Sequence, residues 1–166
     1  MNRTNVALFV TLIVHAAALA SLMGTAHLLP LRVASHFNAA GIPDGWMLRN
    51  SYLWSMAGIE LGTTATLLAI SYGMRYFPPS TINLPHRDYW LAPDRRHETF
   101  NFLLCAGAWM ASLLGALWVA VHLLVVAANA SQPVRLSAVV WLLLGLFVSA
   151  TFGWAYGFYR RFNRLA

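Results

Sequence analysis

Apolar residues in this chain do not alternate with polar ones in the rhythm of a soluble helix or strand. They run together in four long stretches, about residues 5–29, 52–77, 99–128 and 136–159. A bilayer crossing takes roughly 20 predominantly apolar residues, so each stretch predicts a transmembrane helix. The breaks between them fall at 30–51, 78–98 and 129–135. The pattern therefore predicts an all-α fold: an integral membrane bundle of four transmembrane helices, forming one domain over residues 1–166. The last break is short, which makes the third and fourth helices antiparallel neighbours.

Composition supports a chain that lives mostly in lipid. Hydrophobic residues make up 59% and charged residues only 10%, against about 25% charged in a typical soluble domain. Every basic residue is Arg, and these sit scattered at helix ends, which points to the membrane and away from nucleic acid. Basic residues concentrate on the cytoplasmic side of membrane proteins. Arg3, Arg75, Arg87, Arg95, Arg96, Arg160, Arg161 and Arg164 fall on one side, and Arg32, Arg49 and Arg135 on the other. This predicts both termini inside, with 30–51 external and 78–98 cytoplasmic. The first stretch is about twice the length of a signal-peptide core and no small-x-small site follows it, so it is expected to be a retained helix. The single cysteine, Cys105, excludes a disulfide within the chain and a cysteine-based zinc cluster.

The external segment carries structure of its own. Gly41, Pro43, Asp44 and Gly45 are turn residues, and Phe37, Ile42, Trp46 and Met47 are too apolar for a freely solvated loop. The segment is expected to cap the bundle or lie on the bilayer surface. Gly41 is placed to supply a positive φ, and Asp44 to accept from backbone N–H groups of the turn. Trp46, Tyr52 and Trp54 suit an aromatic belt at the interface. In the cytoplasmic segment, Pro78, Pro79, Pro85 and Pro93 argue against a long helix, and Tyr89, Trp90 and Leu91 are expected to anchor it to headgroups.

Polar residues inside the crossings are few and costly. Glu60 is the acidic residue deep in a crossing, and with helices starting where the hydropathy does, it lies roughly 12 Å below the outer end while His122 lies about 9 Å below it. Matched depth makes His122 the expected partner of Glu60, with His15 nearer the middle and His27 near the outer surface. The third helix carries Asn101, Cys105, Ala108, Ser112, Gly115, Val119 and His122 on one face, a stripe suited to helix–helix contact. Gly58 and Gly62 flank Glu60 at a close-contact spacing, as do Ser149, Gly153 and Gly157 in the last helix. His27, His36, Asp44, Glu60 and His122 could converge at the outer end. They are metal-ligand types, so a divalent-cation site and a purely hydrogen-bonded set are both open; no other cofactor is expected. Enzyme motifs such as G-x-S-x-G, H-E-x-x-H, the phosphate loop and the dinucleotide fingerprint are absent.

The outer segment also carries a resemblance. Leu29-Pro30, Ser35-His36-Phe37-Asn38 and Gly41-Ile42-Pro43-Asp44-Gly45-Trp46 resemble the pattern of a family of small bacterial membrane proteins of unknown function, whose best-known members are the SdpI-type toxin-immunity and signalling proteins. Asn83 and Pro85, followed by Tyr89 and Trp90, look like longer members of that family. The resemblance implies a multi-pass protein of the bacterial inner membrane. It implies an immunity, sensing or accessory-subunit role, played through the loop motif (His36, Phe37, Asn38, Gly41, Pro43, Asp44) and a polar cavity beneath it, without catalysis. Its expected partners are the bilayer, further copies or a larger membrane complex, and a peptide ligand. The competing reading is a small oligomeric transporter or channel that uses Glu60 and His122 for proton or cation coupling.

Overall fold

The computed structural model describes residues 2–164. Helix α1 spans Arg3–Thr25, capped by Asn2, whose side chain accepts from the Asn5 N–H. One tight turn, Ala26–Leu28, carries the chain to Pro30. Strands β1 (Arg32–Phe37) and β2 (Pro43–Leu48) then form an antiparallel hairpin. Helix α2 follows directly at Arg49–Gly73. After a proline-rich segment with the short helix α3 (Arg87–Trp90), the long helix α4 spans Arg96–Ala130. Helix α5 spans Val139–Phe162. Four of these helices are long and apolar enough to cross a membrane, so this is a multi-pass, mainly helical protein. The structured segment expected between the first two helices is this β-hairpin.

Helix α4 is the central post. At 35 residues it is roughly 50 Å long, well beyond the ~30 Å hydrocarbon core, and α1, α2 and α5 all pack on it. Helices α1 and α4 run parallel: Thr4 bonds to Asn101, Thr11 to Ala108 and Thr25 to His122 in order along both. Helix α5 packs mainly on α4 and presents most of its surface outward.

Lipid gives no hydrophobic drive for helices to associate, so close approach and hydrogen bonds must hold them. Helix α4 does this against α1 and α2. A Cβ at Gly115 would lie 2.6 Å from the His15 ring, and one at Gly107 would lie 2.0 Å from Ser71 Oγ. Gly58, Gly62 and Gly153 show the opposite. A Cβ on any of them would meet nothing within 4 Å, so their close-contact spacing has no partner among the described residues.

The end away from the hairpin is closed by the 78–95 segment. Ile82, Leu84 and Leu91 are buried against Phe100, Leu103 and Phe162. Trp90 Nε1–H donates to the Phe162 carbonyl at 2.9 Å, and the Thr99 hydroxyl donates to the Trp90 carbonyl at 2.7 Å. Trp90 and Leu91 are therefore plug residues, a correction to their expected role as headgroup anchors. Tyr89 packs edge-on to Trp90 with the Arg95 guanidinium over its ring. Asn83 is exposed between buried Ile82 and Leu84, and Pro85 is half-buried.

Candidate functional site

The hairpin is short, and its sequence explains how it holds shape. Asn38 makes the turn: its side-chain oxygen accepts from the N–H groups of Ala40 (3.0 Å) and Ile42 (3.1 Å), and its own N–H donates to the Ile42 carbonyl. Gly41 has φ +76°, a left-handed conformation that glycine adopts without steric cost. The expectation that Asp44 would order the turn through backbone N–H groups is corrected. Asp44 instead pairs with His36 Nδ1 across the strands at 2.5 Å. Gly45 sits opposite His36 because a Cβ there would fall 2.8 Å from His36 Cβ. Pro43 faces Phe37 at the far end of the ladder, where a missing N–H is tolerated next to a turn.

One face of the hairpin is bolted to the bundle. Asn129, in the last turn of α4, donates to the Ala34 carbonyl (3.0 Å) and accepts from the Ala34 N–H (2.8 Å), mimicking a neighbouring strand. The tip is clamped as well: Leu136 N–H donates to the Gly41 carbonyl at 2.9 Å, and the Arg135 guanidinium to the Ala40 carbonyl at 3.2 Å. Arg49 ties the start of α2 to the Leu29 carbonyl. Beneath, Leu29, Val33, Tyr52, Val125 and Val126 form a buried cluster, with Phe37 and Met47 packed against it. The outer face keeps Ile42, Trp46 and Leu48 exposed beside the His36–Asp44 pair.

Below the hairpin, the faces on which α1, α2 and α4 meet hold three polar layers. In the first, the Thr25 hydroxyl donates to the Ser21 carbonyl at 2.6 Å, so its oxygen is free to accept from His122 Nε2–H at 2.7 Å. That leaves His122 Nδ1 to accept from the Tyr52 hydroxyl at 3.0 Å. The Tyr52 and His122 rings stack with centroids 5.8 Å apart. In the second layer, His15 Nδ1 lies 3.0 Å from Glu60 Oε1 and His15 Nε2 lies 3.0 Å from Thr64 Oγ1. Glu60 is 2% exposed and His15 6%, so this is a buried couple held in full hydrogen-bond register. In the third, Thr11 Oγ1 and Ser112 Oγ are 2.9 Å apart and both reach the Ala108 carbonyl.

These layers correct the expected pairing. Glu60 meets His15 rather than His122, and both histidines have both ring nitrogens occupied. The reason is partly one of depth. Helix α2 begins at Arg49, three residues before its hydropathy does, which sinks Glu60 to roughly 16 Å below the helix start, level with His15. Glu60 and His122 line a common void with Ala18, Ser21, Met56 and Trp118, but it leaves no room for a water-sized sphere. The expected polar cavity is thus a closed seam. Tyr52 is a seam residue rather than part of an aromatic belt; Trp46 and Trp54 remain exposed.

The five candidate metal ligands do not converge. His36 and Asp44 pair on the exposed hairpin, Glu60 and His122 belong to separate layers, and His27 is exposed. Among the described residues no three His, Cys, Asp or Glu side chains come together as a metal-binding group. Thr11, Thr25 and Asn129 are site residues that sequence reasoning passed over; Thr64, on the Glu60 side of its helix, bonds His15. The signal for the α1 members was present: Thr4, Ala7, Thr11, His15, Ala18, Leu22 and Thr25 recur at steps of three and four, the same periodicity that marked the α4 stripe.

Residues 8–61 match the model of a family described as a domain of unknown function (DUF1648). The matched stretch takes in most of α1, the hairpin and the first half of α2, and ends one residue past Glu60. It therefore contains the hairpin turn and both members of the His15–Glu60 couple. Comparison with curated proteins and with solved structures found no match.

Proposed function

We propose that this protein is a recognition protein of the bacterial inner membrane, kin to the SdpI-type proteins, which binds a ligand such as a peptide on the outer face of its hairpin in an immunity, sensing or accessory-subunit role. One observation carries this reading. The hairpin is clamped at its base, its middle and its tip, yet it displays Ile42, Trp46 and Leu48 with the His36–Asp44 pair on a fixed surface. Rigid presentation of aromatic and apolar side chains lowers the ordering cost of binding. Arginine placement puts the hairpin outside and the 78–95 plug in the cytoplasm. A reporter inserted near Ala40 should then read external and one near Ser80 cytoplasmic; the same is expected of a fusion after Ala166, which lies outside the described residues. A photocrosslinker at position 46 in native membranes should capture a proteinaceous partner that one at Ile59 does not. Capture should fall when His36 is replaced by Ala. Lipid adducts alone at position 46 would overturn the reading.

A second reading is favoured by the buried His15–Glu60 couple. A carboxyl group and an imidazole in hydrogen-bond contact deep in a membrane are the standard parts of a proton relay. In this reading the protein is a small oligomeric transporter or channel, with Glu60 coupled to His15 and His122 serving a separate layer. Proton flux into liposomes should be lost in Glu60→Gln while the protein stays folded; undiminished flux in that variant would remove this reading.

A further inference from the structure

A pocket of about 340 Å³ lies where the hairpin tip meets the start of α5. Its rim is the 38–41 turn and Arg135, and its floor is Phe37, Val140, Trp141 and Leu144. The volume is at the lower end of the range for small-molecule sites, about 300–1,000 Å³. Two features narrow what fits. The floor is apolar and continues down the first turns of α5, where Trp141 and Leu142 are exposed on a helix long enough to cross a membrane. The rim carries a positive charge with no counter-charge. Arg135 donates to the Ala40 carbonyl but meets no carboxylate within 4 Å among the described residues. Asp44, the acid of the hairpin, is engaged by His36.

From this arrangement we infer that the pocket is a binding site for an anionic phospholipid. The phosphate rests on the Arg135 guanidinium, and one acyl chain lies along Val140 and Leu144. An uncompensated guanidinium at the membrane boundary is suited to a phosphate, which it can bind through two parallel N–H donors. The level is also right. The hairpin end is where α2 and α5 begin and α1 and α4 finish, so Arg135 sits at headgroup height above the apolar part of α5. A bound lipid would bridge the hairpin tip to α5, the helix least held by the rest of the chain. The lipid site does not rest on the recognition reading, because it uses the tip and α5 rather than the outer hairpin face.

The test is native mass spectrometry of the full chain released from micelles containing equal phosphatidylglycerol and phosphatidylcholine. The wild type should retain phosphatidylglycerol about tenfold over phosphatidylcholine, the size expected of one charge-assisted contact. Arg135→Gln should bring that ratio near one, and Arg135→Lys, which keeps the charge but loses the paired donors, should fall between the two. Leu144→Trp should also abolish the preference, by filling the floor without touching the charge or the hairpin clamp. Millimolar inorganic phosphate should not displace the lipid, because it lacks the acyl chain. Equal retention of both lipids by the wild type would overturn the assignment. So would an unchanged preference in Leu144→Trp, which would show attraction to surface charge without a pocket, or full displacement by inorganic phosphate.

Discussion

The α1–α4 seam and the α4–α5 seam solve the same problem with different chemistry. The first is polar and narrow: Thr11 with Ser112, His15 against Gly115, and Thr25 with His122. The second is aromatic and wide. Phe102, Phe158 and Phe162 contact one another at centroid distances of 4.9–6.1 Å, Trp154 stacks on Phe158, and Trp154 Nε1–H donates to the Ala106 carbonyl at 3.1 Å. Lipid tails compete with apolar side chains on nearly equal terms, but they cannot replace a hydrogen bond or a backbone approach. The polar seam therefore defines one register, while the aromatic seam can trade contacts with lipid. The glycines divide by contact instead, those at 107 and 115 of α4 closely met by α2 and α1 and those at 58, 62 and 153 meeting nothing within 4 Å.

The largest effect should come from Gly115→Val. Its Cβ would fall within 3 Å of both His15 and Val14, and overpacking of this kind typically costs about 1–3 kcal/mol. Because the clash also displaces the His15–Glu60 couple, the yield of folded protein in detergent and its thermal midpoint should fall sharply. A wild-type midpoint would mean that α1 and α4 are not in this register.

Removing one member of the buried couple should come next. Glu60→Ala leaves the buried His15 Nδ1 without its hydrogen-bond partner, a loss of about 1–3 kcal/mol. Glu60→Gln keeps the shape and a hydrogen-bonding group and should cost far less. His15→Ala should not add to Glu60→Ala, whereas His122→Ala should add fully, since groups in one network couple and separate ones do not. Thermal midpoints of the single and double variants read this directly. Strong coupling of Glu60 to His122 instead would restore the pairing that depth alone suggests.

Breaking the hairpin clamp should be milder for the fold and larger for the cap. Asn129→Leu removes the paired hydrogen bonds to Ala34, leaving its N–H and carbonyl unmatched at a cost of about 1–3 kcal/mol. Protease cleavage within 38–45 should rise while the helices remain protected. Unchanged cleavage would show that the hairpin is held by its apolar face alone.

The smallest effect should come from Gly58→Ala and Gly153→Ala. Neither new methyl meets an atom of the described residues within 4 Å, and alanine is the better helix former by about 1 kcal/mol. Both variants should be at least as stable as the wild type as monomers. A marked loss would show that another helix covers those faces.

Much of the architecture was legible in the residue pattern. The four apolar runs mark the four helices to within a few residues at each end, and Gly41 and Asn38 mark the turn. The prolines of the 78–95 segment kept it from reading as a helix. The site was legible only in parts. The α4 stripe stood out, but its partner stripe on α1 went unread because Thr11 and Thr25 are weakly polar and sit in a strongly apolar run. Asn129 read as the start of a loop, although it is the last turn of α4 and holds β1.

What the sequence determined by itself was where the chain meets lipid, since that depends on the local sum of transfer free energies over some twenty residues. Length and hydropathy also set each polar group's height in the bilayer. The tertiary structure decided direction around each helix axis. Height counted from the apolar run pointed Glu60 to His122; the start of α2 at Arg49 and the parallel packing of α1 on α4, set by Gly115 against His15 and Thr11 against Ser112, turned His15 toward Glu60 and left His122 to Thr25 and Tyr52. Hydrogen bonds act over about 3 Å and depend on direction. A partner is therefore fixed by which faces meet, and that is a property of the packed bundle rather than of any one stretch of chain.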